Sequence, residues 1–198
     1  MKRLFVIFTV VVSMLVACMP TAPAETEAPV PASPTLEVSL EPQGKMAAPS
    51  FESQPYVDEA NGFMLDYPVG WTVKQTMSGE RGSQSVLLSA PEVADLEALP
   101  PGATRIGVTL NQWDPKNDLA AFVESRKTAW SASGFTILSE EHLTLDLGLD
   151  AVRFTVQTTD SLTAIFQFSV VDDQYLTLSG EGDLTLAAEI MNYLRPLN

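Results

Sequence analysis

Three regimes of hydrophobic patterning follow one another along the 198 residues. Leu4 to Val16 is an apolar run of 13 residues interrupted only by Thr9 and Ser13, and Lys2 and Arg3 precede it. From 19 to 50 the apolar residues keep no period, there is no aromatic residue, and seven of the chain's 14 prolines are present. From Phe51 onward apolar and polar residues alternate in short stretches bounded by turn signals, which is the signature of half-buried strands. The alternation predicts strands near Tyr56 and at Phe63–Tyr67, Thr72–Thr76, Gln84–Ala90, Arg105–Gln112, Phe135–Leu143, Ala151–Thr158, Leu162–Val171 and Gln174–Ser179. Asn61-Gly62 and Asp172-Asp173 read as hairpin turns.

Two segments carry the helical period instead. Asn117-Asp118 caps the first, Leu119, Phe122, Val123 and Trp130 form its apolar stripe, and Gly134 stops it. The second starts at Asp183, places Ala187, Ile190, Met191 and Leu194 on one face, and runs to Pro196. One-sided stripes pack on something, here the faces of a sheet. The expected architecture is therefore α+β: a single domain, 51–198, with a central antiparallel sheet flanked by helices.

The run Leu4–Val16 is shorter than the roughly 20 residues a membrane-spanning helix needs, so it reads as the core of an export signal. Leu15-Val16-Ala17-Cys18 then resembles the lipobox of bacterial lipoproteins, whose cysteine thiol receives a diacylglycerol before the signal peptide is cut off just ahead of it. The resemblance implies a signal peptide at 1–17 and lipidation at Cys18. Cys18 is the chain's one cysteine, so no disulfide holds the domain, and lipidation removes the liability of an unpaired thiol in an oxidising compartment. The two or three acyl chains so implied anchor stably where one would not. The expected location is the bacterial cell envelope, anchored to the outer membrane or the outer face of the cytoplasmic membrane. Met19, rather than the aspartate of inner-membrane retention in enteric bacteria, favours the outer membrane where there are two. Residues 18–50 form the lipidated start and a Pro-, Ala-, Thr- and Glu-rich tether too poor in large apolar groups to order itself. Its reach lies between roughly 30 Å as a coil and about 100 Å fully extended. Leu36–Leu40 alternates like a short strand, but Pro34 and Pro42 bracket it and keep it in the tether.

Asn61-Gly62-Phe63-Met64-Leu65-Asp66-Tyr67-Pro68-Val69-Gly70-Trp71 resembles the opening hairpin of the PsbP family and related bacterial lipoproteins, in which a phrase G-F-x-hydrophobic-x-Y-P-x-G-W recurs. The residues make sense without the family: Phe63, Leu65 and Tyr67 share one strand face, Pro-x-Gly turns the chain, and Trp71 covers the core's edge. The resemblance implies an α/β/α sandwich over about residues 55–195 and a binding role. The family's known members are an extrinsic photosystem II subunit, a nuclear-transport regulator sharing the fold, and lipoproteins of unclear role.

Charge narrows the partners. From Phe51 onward there are 8 Lys and Arg against 21 Asp and Glu, a surplus of 13 negative charges within the chain's total of −14. Such a surface repels phosphate backbones, so no nucleic-acid partner is expected, and the surplus favours cationic partners or, more simply, serves solubility. Chemistry is sparse. His142 is the chain's one histidine, which removes a His-ligated metal centre and leaves a Ser-His-Asp triad without a nucleophile elbow. It reads as a surface or edge-strand residue beside Glu140 and Glu141. Gly180-Glu181-Gly182-Asp183-Leu184-Thr185 sits where a phosphate loop would, but lacks a third glycine and carries two acids. It reads as a flexible turn with Asp183 as helix cap. Asp114-Pro115-Lys116-Asn117-Asp118 offers calcium-type oxygens without the glycine and terminal glutamate of an EF-hand, and reads as a turn and cap. These residues predict no cofactor, no metal and no catalytic set: a membrane-anchored, non-enzymatic binding or assembly domain with a protein partner. Two other expectations compete with it. One is a carrier of an apolar small molecule in a pocket lined by Phe166, Phe168 and Trp130; the other is a hydrolase using paired carboxylates.

Overall fold

Residues 48–78, 83–112 and 118–197 are described in the computed structural model of the chain, all within the compact unit 40–198. The segment read as an export signal, Cys18, most of the segment read as a tether, Trp113 and Asp114–Asn117 lie outside the described residues.

Among the described residues the nine alternating segments become nine strands, β1 (Ser53–Asp58), β2 (Phe63–Pro68), β3 (Thr72–Ser78), β4 (Ser83–Ser89), β5 (Thr104–Gln112), β6 (Thr136–Thr144), β7 (Asp150–Gln157), β8 (Thr163–Val171) and β9 (Gln174–Gly182), and the chain's end adds a tenth, β10 (Leu194–Pro196). Two helices accompany them, α1 (Leu119–Ala132) and α2 (Leu184–Asn192). Seven strands form an antiparallel sheet in the order β3-β4-β5-β9-β8-β7-β6, and three form a second sheet, β1-β2-β10. Period-two alternation gives the large sheet two apolar faces. On one, Phe154, Val156 and Phe168 meet Val123, Phe122 and Trp130 of α1. On the other, Ile106, Val108, Ile165, Leu176 and Leu178 meet Ala187, Ile190 and Met191 of α2 together with Phe63, Leu65 and Tyr67 of the small sheet. The domain is the expected α+β sandwich with helices on both faces of the central sheet, and the small sheet adds to the layer that holds α2.

Both caps fall where the sequence places them. Asp118 accepts from the backbone N–H of Ala121 at 2.8 Å, and Asp183 accepts from Thr185 and Leu186. Gly134 takes φ +78° just after α1, as a helix stop requires.

The second helix is shorter than its apolar stripe predicts. It ends at Asn192, and Leu194, expected on its buried face, opens β10 instead. Leu194 pairs with Leu65 and is fully buried, while the Leu197 N–H donates to the Gly62 carbonyl at 2.7 Å. The strand keeps the leucine inside and gives the backbone a ladder partner, and Pro196, which ends any helix, is tolerated at a sheet edge. The start of the domain is fastened to α2 as well: the Ser50 N–H and Oγ donate to the two Glu189 carboxylate oxygens at 2.6 and 2.7 Å, and Phe51 meets Tyr193 edge-on.

Candidate functional site

The opening hairpin is built as its sequence predicts, and its turn borders a shallow cleft. Phe63 and Leu65 are fully buried, and Tyr67 nearly so. The Trp71 N–H donates to the Pro68 carbonyl, closing the Pro-x-Gly bend, and the Trp71 side chain lies half-buried along the core's edge. At the β1–β2 turn Asp58 is 8% exposed. One of its oxygens accepts from the Asn61 N–H at 3.1 Å, and the other from Asn61 Nδ2 at 2.9 Å and the Tyr56 hydroxyl at 3.4 Å. Gln174 Nε2 reaches Asn61 Oδ1 at 3.2 Å, tying this turn to the start of β9. Gly62 takes φ +71°, a region L side chains rarely adopt, and a Cβ on it would also displace the Asp172 carboxylate, 1.8 Å away. The cleft beside the turn holds about 370 Å³ and is lined by Tyr56, Val57, Asp58, Glu59, Ala60 and Gln75. It presents acceptors to solvent, but Asp58 already spends its lone pairs on the turn.

Burial above all, and then the charge of Asp58, raise the Tyr56 phenol above its ordinary value, with a hydrogen bond to Gln75 acting the other way. A raised phenol favours the neutral form in the fold. Its contribution to stability is whole below about pH 10, the unfolded value, and is lost as pH rises through the folded value. Tyr56→Phe should therefore make the urea midpoint fall less steeply above about pH 10 than it does in the unaltered protein. An identical alkaline slope would show that Tyr56 does not carry it. Tyr193, raised chiefly by burial, and Lys127, raised chiefly by its hydrogen bonds to Glu124 and Glu140, add slope of the same sign.

The other sequence candidates are dispersed. His142 is exposed on β6, an edge strand of the large sheet, with Nε2 3.4 Å from Glu140 Oε1; this is the edge position its sequence predicts. Cys18 lies outside the described residues, as does Asp114–Asn117 of the oxygen-rich turn. Gly180 to Gly182 is not a flexible turn: it completes β9. A Cβ on Gly180 would fall 2.6 Å from Ile165 and 2.7 Å from Ala187, so this glycine exists to let α2 approach the sheet. Asp183 is the cap. Phe166, Phe168 and Trp130 do meet, but as packed rings: Trp130 lies 5.0 Å from Phe166 and 5.7 Å from Phe168, and Phe168 is buried against Phe154 and Phe122 as well. They pack against one another beneath α1. Among the described residues no three His, Cys, Asp or Glu side chains gather to hold a metal ion.

Sequence reasoning missed one polar site. Arg153 on β7 is 7% exposed, and among the described residues no carboxylate hydrogen-bonds to it. Its Nε and Nη2 both donate to Gln167 Oε1, at 3.1 and 2.6 Å, and Nη2 also donates to Asn192 Oδ1 at 2.5 Å and the Ala188 carbonyl at 3.3 Å. Gln167, fully buried, passes its own Nε2 to the Met191 carbonyl. The network stitches the end of α2 to the sheet. Burial pushes the guanidinium down from its ordinary value, against the pull of Glu141. Arg153 lies in the predicted strand Ala151–Thr158, but nothing local announces its burial, because two of its acceptors come from α2, 35 and 39 residues further along.

Comparison with solved structures places the architecture. The chain is similar to cyanobacterial PsbP (CyanoP) from Synechocystis sp. PCC 6803, with a TM-score of 0.55 and 16% identity over 79% of this chain and 98% of that one. It matches a Pseudomonas aeruginosa protein of unknown function, PA94, at a TM-score of 0.45 and 13% identity, over 74% of this chain and 98% of the other. No protein-family model matches the chain, and no curated protein does. The fold is PsbP-like.

Proposed function

We propose that this is a lipid-anchored, extracytoplasmic binding or assembly module that is not an enzyme. Cys18 is its acyl acceptor, the Pro-rich segment its tether, and the domain a contact surface for a protein partner in the cell envelope. The observation that carries the reading is that, among the described residues, side chains of the protein itself pack the space between the large sheet and each helix. Aromatic rings close the space under α1, and the Arg153 network with Ile190 and Met191 closes it under α2. Recognition is thereby left to the outer surface, which suits a macromolecule better than an enclosed small ligand. The PsbP-like fold supports the same reading.

The test is affinity isolation of the full-length lipidated protein from detergent-solubilised membranes. A reproducible protein partner in near-stoichiometric amount is expected. Absence of any partner across repeated isolations, or turnover in a screen of chromogenic ester and glycoside substrates, would overturn the proposal.

A further inference from the structure

Four non-glycine residues among those described occupy the left-handed backbone region: Leu147 (φ 60°), Ser161 (φ 62°), Asp172 (φ 45°) and Asp173 (φ 61°). Aspartate and serine are ordinary there, because their short polar side chains bond locally. Leucine is not, and a bulky residue in this region is a genuine outlier. Leu147 stands 60% exposed, so burial within the domain offsets little of the strain.

Its neighbours make the exposure rigid. The turn joins β6 to β7 in the sequence Leu145-Asp146-Leu147-Gly148-Leu149-Asp150. Leu145 is 6% exposed and Leu149 packs against the main core. The Leu145 N–H donates to the Leu149 carbonyl at 2.8 Å, and the Gly148 N–H donates to the Leu145 carbonyl at 3.2 Å. Two leucines are thus rooted in the interior, and the one between them is held out in a fixed conformation beside β10. Asparagine or glycine at 147 would make the same turn without the strain. Outliers of this kind, over-determined by their surroundings, concentrate at contact sites.

We propose that Leu147 is a docking anchor that enters an apolar pocket on a protein partner, and that basic side chains rim that pocket. The basic rim follows from charge: the charged groups on the turn are Asp146 and Asp150, and the domain carries 13 surplus negative charges. A rigid anchor suits the role, because little ordering remains to be done on binding. The inference rests on the proposed binding role and adds to it the place and chemistry of the contact.

The test uses the full-length lipidated chain in cells, with a photo-reactive leucine analogue at position 147 or, as control, at Leu162. Leu162 is 68% exposed at the far end of β7. Position 147 should cross-link to the protein recovered by affinity isolation, position 162 should not, and the linked peptide of the partner should lie in an apolar pocket flanked by Lys or Arg. Leu147→Asn should weaken partner affinity by roughly tenfold or more while raising the urea midpoint of the free protein. Reversing both aspartates to lysine should weaken binding and flatten its salt dependence. Cross-links from 147 to a second copy or to lipid, equal yields at 147 and 162, or a Leu147→Asn midpoint that fails to rise would each overturn the proposal. A recovered partner that 147 never reaches defeats this inference and spares the binding role. No partner by either route defeats both.

Discussion

Arg153→Met should destabilise the domain by about 2–4 kcal/mol, a large share of the 5–15 kcal/mol that holds a typical domain together. The loss is not one of volume, since methionine fills most of the space left by the arginine stem. It comes from the acceptors left behind. Gln167 Oε1 is fully buried and takes two of the guanidinium's bonds, and the Ala188 carbonyl and Asn192 Oδ1 take the others. Burying an acceptor without its donor costs about 1–3 kcal/mol. Against this stands the desolvation of the guanidinium itself, the effect that lowers its pKa, and the substitution removes it. The balance turns on Gln167, which water cannot reach. Gln167→Leu in the Arg153→Met background should therefore recover part of the loss, because it removes the orphaned Oε1, although it also takes the Nε2 donor from the Met191 carbonyl. Arg153→Lys should not recover it, since one ammonium cannot reproduce the planar fork that spans Gln167 and Asn192. Urea midpoints of the single and double variants form a double-mutant cycle. Additive losses would mean that the two side chains are not energetically coupled and would dismiss the network as a stabilising feature.

Much of this architecture was legible because its determinants are local. Period two in β7, β8 and β9, the helical stripes, Asp118 and Asp183 as caps and Gly134 as a stop each declare themselves within a few residues, and each sits where the sequence places it. The hairpin from Asn61 to Trp71 was readable for the same reason. What escaped depends on residues distant in the chain. Gly180 looks like a turn residue until Ala187 and Met191 arrive from α2 and need the room of a missing Cβ. Leu194 continues a helical stripe on paper, but β2 offers its backbone an antiparallel partner 129 residues away, between Leu65 and Leu194. The splitting of the strands into two sheets has the same origin, since β10 pairs with β2 and not with the large sheet. Arg153 could be placed on a strand but not inside, because nothing near it in the sequence reports that α2 will cover it with carbonyl and amide oxygens. Leu147 shows a further limit. Leu-Gly reads as an unremarkable turn, and only the backbone angle reveals that the leucine, as well as the glycine, has been forced into the left-handed region.

The proposed anchor yields the most extreme expected result: Cys18→Ser should abolish lipidation altogether and leave the folded domain untouched. The transferase step alkylates a thiolate. A cysteine thiol ionises near pH 8.5, whereas a serine hydroxyl yields no useful alkoxide at physiological pH, so substitution by one atom removes the nucleophile. Cleavage ahead of residue 18 depends on the lipid and should fail with it. The precursor is then expected to keep the apolar run Leu4–Val16, which can still engage the export machinery but is too short to span a bilayer as a stable helix. The domain should not notice. Cys18 is the chain's one cysteine, so no disulfide is lost, and the first described contact that fastens the domain's beginning is Ser50 on Glu189, 32 residues further along. Intact mass, detergent phase partitioning and a urea midpoint, taken together on the unaltered and Ser forms, read all three consequences. The acyl mass should vanish, the leader should remain and its apolar run by itself keep protein in the detergent phase, and the midpoint should stay the same within error. Acyl mass on the Ser form would place the lipid on another residue. A lowered midpoint would mean that the anchor contributes to folding, contrary to a tether that only holds the domain near its membrane.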